Sequence, residues 1–269
     1  MKRGVVIIAH NTIRQDYYRM GVAVAKRAQQ FLNLPTTIIT DLTTLNSHGA
    51  GEYKFDHTII VEPDRDNYLK KATWINKGRY RVYELTPYDD TLVLDTDYVI
   101  NSTALLNVFD QPTDFCCYRT ARYMFSDDPN EMIGPYSHST YWATVMRFRK
   151  TERTRDLFQL IKIIQENYAY YAELHGFLPY TYRNDHALTI ALRAINGHIE
   201  QPSDFIPGEL QHVSGELTTV ERVDDTTYNV MCEVMVRGRL KKSSITIKDS
   251  DFHMLNKENY MSLIYADTQ

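Results

Sequence analysis

Only three of the 269 residues are cysteine, and two of those, Cys116 and Cys117, are adjacent. That excludes a disulfide framework and any recognisable cysteine metal spacing, and it points to a reducing, cytoplasmic setting. Long apolar runs are missing too: none approaches the ~20 residues needed to cross a bilayer, so no membrane insertion is expected. The opening MKRGVVIIAHN starts with two basic residues, but its apolar stretch is too short for a secretory signal and ends in His10-Asn11. It reads as a first strand. No Pro- or Ser-rich linker divides the chain and no internal repeat is visible, so one domain spanning 1–269 is the economical expectation. Neither sign of charge dominates, with a net charge of −4; this argues against a surface that grips nucleic acid all over and leaves room for a local basic groove.

What is present is an ordinary globular composition, 43% hydrophobic and 24% charged, with an ordered series of apolar runs. GVVIIAH, TTIIT, HTIIVE and TLVLD are short and β-branched or aliphatic, as buried strands are. Helical stretches are expected between them, from about Asp16 to Leu32 and from Asn67 to about Lys77. Such alternation predicts an α/β fold, Rossmann-like, with a mostly parallel central sheet flanked by helices. Beyond residue 110 the pattern loosens. DFCCYR and TYWATVMRF are strand candidates, residues 120–139 a long loop, Glu152–Ala172 and Asp185–Ile195 helices, and 217–248 β-hairpins turning at VDDTTY. The change of pattern divides the domain into a regular half, residues 1–110, and a mixed half, residues 111–269. The 20 tyrosines cluster in ENYAYYAELHGFLPYTYRND. Tyr-rich faces suit sugar rings and nucleobases, although a core-boundary tyrosine with a satisfied hydroxyl is the more ordinary role.

The sequence carries Asp-x-Asp three times, as DRD (64–66), DTD (95–97) and DSD (249–251), so the letters alone say little. DRD follows a proline and precedes a helical stretch, where acids cap a helix start. DSD lies in a polar segment near the C-terminus. DTD alone stands at the carboxyl end of a buried strand, the edge at which open α/β sheets bind ligands. Two carboxylates one residue apart at such an edge can converge on a hard divalent cation that clamps a diphosphate. The competing reading is a solvated turn with a capping acid, which the immediate return to Tyr98-Val99-Ile100 disfavours.

ELTPYDDTLVLDTDYVI resembles the metal-binding region of GT-A-fold glycosyltransferases, the nucleotide-diphospho-sugar transferases, in particular the glycogenin and galactinol synthase branch. The likeness continues along the chain. VVIIAHNTIRQDYYRMGVAVA looks like that family's first strand and helix, which implies nucleoside contacts from Ala9, His10, Asn11 and Tyr18, with Gly21 three residues on. Arg79 falls where the family has a basic residue before the acid pair, and Thr96 lies inside the pair. TYWATVMRFRKTERTRDLFQL resembles the next strand and helix, and YRNDHALTIALRA the segment that puts Asp185 and His186 at the sugar. SDFHMLNKENY resembles the C-terminal His-to-Lys motif. The resemblance therefore implies a Mn2+ (or Mg2+) ion held by Asp95, Asp97 and His253, with Lys257 on the diphosphate; imidazole suits manganese better than magnesium. Trp142-Ala143-Thr144 departs from the family's Asn and Gly, the His-to-Lys interval is shorter, and a trailing Pro-Trp is missing.

The implied activity is metal-assisted transfer of a hexosyl or pentosyl group from a nucleotide-diphosphate sugar donor to an acceptor that could be a glycan, a protein or a modified nucleic acid. Asp185 would stand near the anomeric carbon or act as base; a helix N-cap is its alternative role. One rival is a haloacid-dehalogenase-type phosphohydrolase with Asp95 as nucleophile and Asp97 as general acid. Another is a binding protein that keeps a nucleotide fold without catalysis. Two basic clusters, RFRKTERTR (147–155) and GRLKK (238–242), could touch an anionic acceptor, against the commoner role of a solvated charged face.

Overall fold

The computed structural model describes residues 1–47, 53–62, 68–69, 72–73, 78–125, 131–135, 137–179, 182–213, 218–236 and 239–266; at 68–69, 72–73, 234–236 and 239–241 it describes the backbone alone. In chain order the first half has β1 (Arg3–Ile8), α1 (Tyr17–Arg27), β2 (Thr36–Thr40), α2 (Leu42–Ser47), β3 (His57–Ile60), β4 (Tyr68–Leu69), β5 (Ala72–Thr73), α3 (Val82–Leu85), β6 (Asp90–Leu94) and β7 (Tyr98–Val99). The second half has β8 (Phe115–Tyr118), β9 (Ala121–Tyr123), β10 (Trp142–Arg149), α4 (Glu152–Glu166), α5 (Tyr168–His175), α6 (Asn184–Ile195), β11 (Phe205–Ile206), β12 (Leu210–Val213), β13 (Thr218–Arg222), β14 (Thr227–Val236), β15 (Arg239–Lys248), β16 (Phe252–Met254) and α7 (Lys257–Ala266).

Seven strands form the central sheet, in the order β11-β8-β10-β6-β1-β2-β3. Strands β6, β1, β2 and β3 run parallel, whereas β10 is antiparallel to both neighbours. The fold is thus α/β with a mixed, mostly parallel sheet flanked by helices, as the alternation of apolar runs and helical stretches predicts. A strand in a sheet covered on both faces is buried at every position, as β2 and β6 are at all five of theirs. Successive side chains then go to opposite faces. Val5, Ile7, Leu92 and Leu94 join the core under α1, while Val6 and Val93 join the core under α4 and α6. Cys116 and Cys117 are divided the same way, one on each face.

Besides the two-stranded pair β4-β5, the described residues form two smaller sheets. One has the order β7-β16-β12-β9 and the other is the antiparallel meander β13-β14-β15, which matches the expected hairpins. A third core, including Met20, Val213, Tyr228, Phe252 and Leu263, lies between them, α1 and α7.

Several expectations are corrected. Where a helix was expected over 67–77, the described residues are two short strands, with Tyr68 opposite Thr73 and Leu69 opposite Ala72; the others lie outside the described residues, as does DRD. The expected long helix breaks at Asn167, whose Nδ2 donates to Ile163 O at 2.9 Å, and α5 starts afresh beyond it. The stretch 120–139 contains β9, paired with β12.

The basic cluster 147–155 is a solvated face only in part: Lys150 and Arg155 are exposed, whereas other members are turned to partners in the protein. Arg147 is completely buried and grips Asp90 with two nitrogens, Nε to Oδ1 at 2.6 Å and Nη2 to Oδ2 at 2.7 Å. Arg149 reaches the carbonyls of Phe109 and Gln111, Lys150 that of Thr86, and Arg153 the carboxylate of Asp204 at 2.7 Å. In the second cluster Lys242 pairs with Glu233 at 2.9 Å. In the Tyr-rich stretch, Tyr168 and Tyr182 are core residues and Tyr170 is exposed.

Candidate active site

The carboxyl edge of the sheet assembles the site. Strand β6 ends at Leu94, and Asp95 stays aligned with the sheet because its N–H donates to Thr144 O at 3.0 Å. A turn closed by Tyr98 N–H to Asp95 O, 3.2 Å, then starts β7. Antiparallel pairing sets Tyr98 opposite His253 of β16, so strand register carries the distant histidine to the acids. Met254 N–H donates to Asp97 O at 2.9 Å. The last acid of DSD has a structural part in this: Asp251 accepts from Asn101 N–H at 2.7 Å and the Ser102 hydroxyl at 2.9 Å, tying β16 to the end of β7. Helix α7 then opens with Lys257.

Asp95, Asp97 and His253 each offer one ligand atom, all within 4.8 Å of one another. Two carboxylates and an imidazole suit a divalent ion such as manganese. His253 Nε2 is a buried polar atom without a hydrogen bond, 3.1 Å from Asp97 Oδ1. The donor set therefore fits a cation.

Around the three groups lie matched charges. Lys257 Nζ is 2.9 Å from Asp97 Oδ2 and Arg79 Nη2 is 2.5 Å from Asp95 Oδ1. Burial disfavours the charged form of Asp97, but His253 and Lys257 outweigh it and hold that carboxyl far below the usual range. Asp95 moves the other way: burial raises it, Arg79 offsets this in part, and the charge of Asp97 adds to the rise. Burial likewise opposes the imidazolium of His253, yet the Asp97 carboxylate beside it lifts its pKa. The phosphohydrolase reading needs Asp97 as a proton donor, and it finds no support in a carboxylate that faces His253 at 3.1 Å and Lys257 at 2.9 Å.

Asp185, in the first turn of α6, reaches the same edge. Its Oδ1 accepts from Ala143 N–H at 2.8 Å, its Oδ2 lies 3.7 Å from Arg183 Nη2, and its charge is felt by both Arg79 and Asp95. Arg79 is itself buried, on a turn that Gly78 enters at φ 85°, a left-handed conformation that suits glycine. Thr96 is buried between the two acids.

The nucleoside candidates form a neighbouring group at the end of β1. Ala9 N–H donates to Ile39 O. His10 Nδ1 is 2.8 Å from Asp41 Oδ2, while Asn11 Oδ1 accepts from Tyr18 N–H at 2.8 Å and helps to start α1. Tyr18 is buried edge-on to Phe55, ring centroids 6.1 Å apart, and its neighbour Tyr17 is the tyrosine that feels Lys257, Asp97 and Asp95. Gly21 faces β1 closely enough that a Cβ would come 3.3 Å from Ile7, a packing role. His186 lies apart from the acids, with Nδ1 3.2 Å from the Tyr168 hydroxyl and its ring 4.6 Å from that of Phe177. Burial pushes its pKa down to about 4.

Residues that sequence reasoning did not single out complete the surroundings: Tyr17, Tyr123, Arg183 and His212. His212 is buried next to His253, stacked on Tyr123 and packed against Trp142. Its only sequence signal is an inward position on the short strand LQHV.

No family model matches the chain, and no curated protein does either. Among solved structures it is similar to the galactosyltransferase LgtC in complex with donor and acceptor sugar analogs, at 13% identity and a TM-score of 0.49, over 98% of this chain and 95% of that one. It is also similar to mouse xyloside xylosyltransferase 1, at 12% identity and a TM-score of 0.45, over 77% of this chain and 84% of that one. The glycosyltransferase GlyE of Streptococcus pneumoniae TIGR4 aligns at 11% identity and a TM-score of 0.44, over 76% of this chain; the alignment spans only 44% of the GlyE chain. No helix among the described residues is long and apolar enough to cross a membrane.

Proposed function

We propose that the protein is a metal-dependent glycosyltransferase that uses a nucleotide-diphosphate sugar. The observation that supports it most is the convergence of Asp95, Asp97 and His253 within 4.8 Å at the sheet's carboxyl edge, with Lys257 beside them at 2.9 Å from Asp97. Asp95, Asp97 and His253 would hold a Mn2+ or Mg2+ ion, which when bound offsets negative charge on a leaving diphosphate. Lys257, released from Asp97 as donor binds, would donate to a diphosphate oxygen. Arg79 opposes protonation of Asp95 and holds its carboxylate in line. Asp185, fixed through Ala143 N–H, presents its second oxygen toward the region where the sugar would sit. The end of β1 around Ala9, His10, Asn11 and Tyr18 is the proposed nucleoside side, and Tyr17, next to Tyr18, is near enough to Lys257 to feel its charge. His186 has no part in this scheme.

A thermal-shift panel of UDP-, GDP-, ADP- and CMP-sugars with and without Mn2+ tests the reading. A bound donor at a hundred times its dissociation constant adds about 2.7 kcal/mol of stability. One donor class should stabilise the protein only when the metal is present. If none does, the proposal fails.

A further inference from the structure

His212 is completely buried and faces His253 directly in the parallel pairing of β12 with β16. The two imidazoles meet nitrogen to nitrogen, Nδ1 to Nδ1 at 3.1 Å. Such a contact is a hydrogen bond only when one nitrogen carries the proton and the other the lone pair. The choice decides what His253 can do. If its Nδ1 holds the proton, its Nε2 keeps a lone pair, and Nε2 is the nitrogen beside Asp97 that has no hydrogen bond of its own. With the opposite assignment His253 would carry its proton on Nε2 and could not ligate.

Packing alone does not account for an imidazole at this position. His212 Nε2 is buried without a partner, and an unpaired buried nitrogen costs stability that an apolar side chain of the same size would avoid. The ring is nonetheless held firmly. Tyr123 stacks on it with centroids 4.9 Å apart and planes 19° apart, Trp142 packs at 4.7 Å, and the backbone carbonyl accepts from Met124 N–H at 3.0 Å.

We propose that His212 is a positioning residue for the metal site: its Nδ1 accepts the Nδ1–H of His253 and holds that ring with the Nε2 lone pair turned toward Asp95 and Asp97. Partners that orient a ligating histidine in this way fix both its tautomer and its direction. The inference rests on the metal-site reading above.

The experiment compares the full-length wild type with His212→Phe, which keeps the ring volume without an acceptor, and His212→Asn, which restores an acceptor oxygen. Mn2+ affinity is read by calorimetry and electron paramagnetic resonance, without nucleotide. The protonated nitrogen of His253 is read in the metal-free protein from long-range 1H–15N spectra. The Phe variant should melt no lower than wild type without metal, bind Mn2+ ~10–100-fold more weakly, and lose the Nδ1–H signature of His253; the Asn variant should recover most of the affinity. Wild-type affinity in a folded Phe variant overturns the positioning role and leaves the metal site standing. A wild type that binds no Mn2+ overturns both. Should the Phe variant not fold, a wild-type spectrum with no proton on His253 Nδ1 refutes the proposal, and one with a proton on Nδ1 together with an Asn variant of near-wild-type affinity supports it.

Discussion

Arg79 Nη2 lies 2.5 Å from Asp95 Oδ1, so the first acid of the pair is already matched by a buried cation. Burial and Asp97 push the Asp95 carboxyl upward and Arg79 is the main force that opposes them. Removing it in Arg79→Met leaves Asp95 easier to protonate. Mn2+ must then displace a proton, so the pH at which half-maximal binding occurs should shift upward relative to wild type. Calorimetric titrations at a series of pH values measure it, and an unchanged midpoint would show that Arg79 does not control the ionisation of Asp95.

Lys257 and the cation compete for the same carboxylate, because Lys257 Nζ sits 2.9 Å from Asp97 Oδ2. Lys257→Met frees Asp97, so Mn2+ affinity should hold or rise. Turnover of the donor should nevertheless fall ~10²–10³-fold, the usual loss when one donor to a developing negative charge is removed. Affinity and turnover moving in opposite directions is the diagnostic result. A parallel fall in both would assign Lys257 to support of the site and not to the diphosphate.

Much of this framework is legible in the sequence, for identifiable reasons. Val5–Ile8 and Leu92–Leu94 announce themselves because a two-sided buried strand needs an unbroken apolar run. Asp95 and Asp97 stand out by following such a run directly. What stays hidden depends on partners far along the chain. Arg147 looks like part of a charged surface until Asp90 is found beside it, and His212 looks like any strand residue until β16 pairs with β12. The acid of DSD at 251 reads as polar filler because its partners, Asn101 and Ser102, lie in another element. Local pattern carries element type; strand register, which carries these meetings, is decided by tertiary packing.

The Arg147–Asp90 pair supports the sheet from inside, with both side chains fully buried. Taking away one partner strands the other charge in the core and costs about 3–5 kcal/mol. Arg147→Met should lose stability of this order in urea unfolding, although Arg3 and Arg149 lie 4.0 Å and 3.7 Å from Asp90 and soften the loss. A change below about 0.5 kcal/mol, the range of a surface substitution, would mean that the pair is not what holds β6 against β10.

His186 links stability to acid. Its pKa is 6.5 when unperturbed and about 4 in the folded chain, mainly through burial. Between those values the unfolded chain takes up a proton that the folded chain refuses, so stability is complete above pH 6.5 and falls as pH drops toward 4. This group contributes a slope of up to about 1.4 kcal/mol per pH unit. His186→Gln removes the contribution and should flatten the acid limb of the melting profile. A profile as steep as wild type would place the acid sensitivity elsewhere.

Asp185 stands at a helix start and at the edge of the acid cluster, and one substitution separates the two roles. In Asp185→Asn the amide oxygen can still accept from Ala143 N–H, which now runs to Asp185 Oδ1 at 2.8 Å. The loss of negative charge at the first turn of α6 costs about 0.3–1 kcal/mol, a small drop in melting temperature. A carboxylate that takes part in transfer as base or charge stabiliser contributes ~10²–10⁴-fold. Donor turnover should therefore collapse by that factor in a protein whose melting curve and Mn2+ affinity barely move. Retention of turnover together with the small loss of stability would reduce Asp185 to a first-turn acid of α6, whose N-cap position is held by Arg183, and the reacting group would then have to be sought on another element of the same edge.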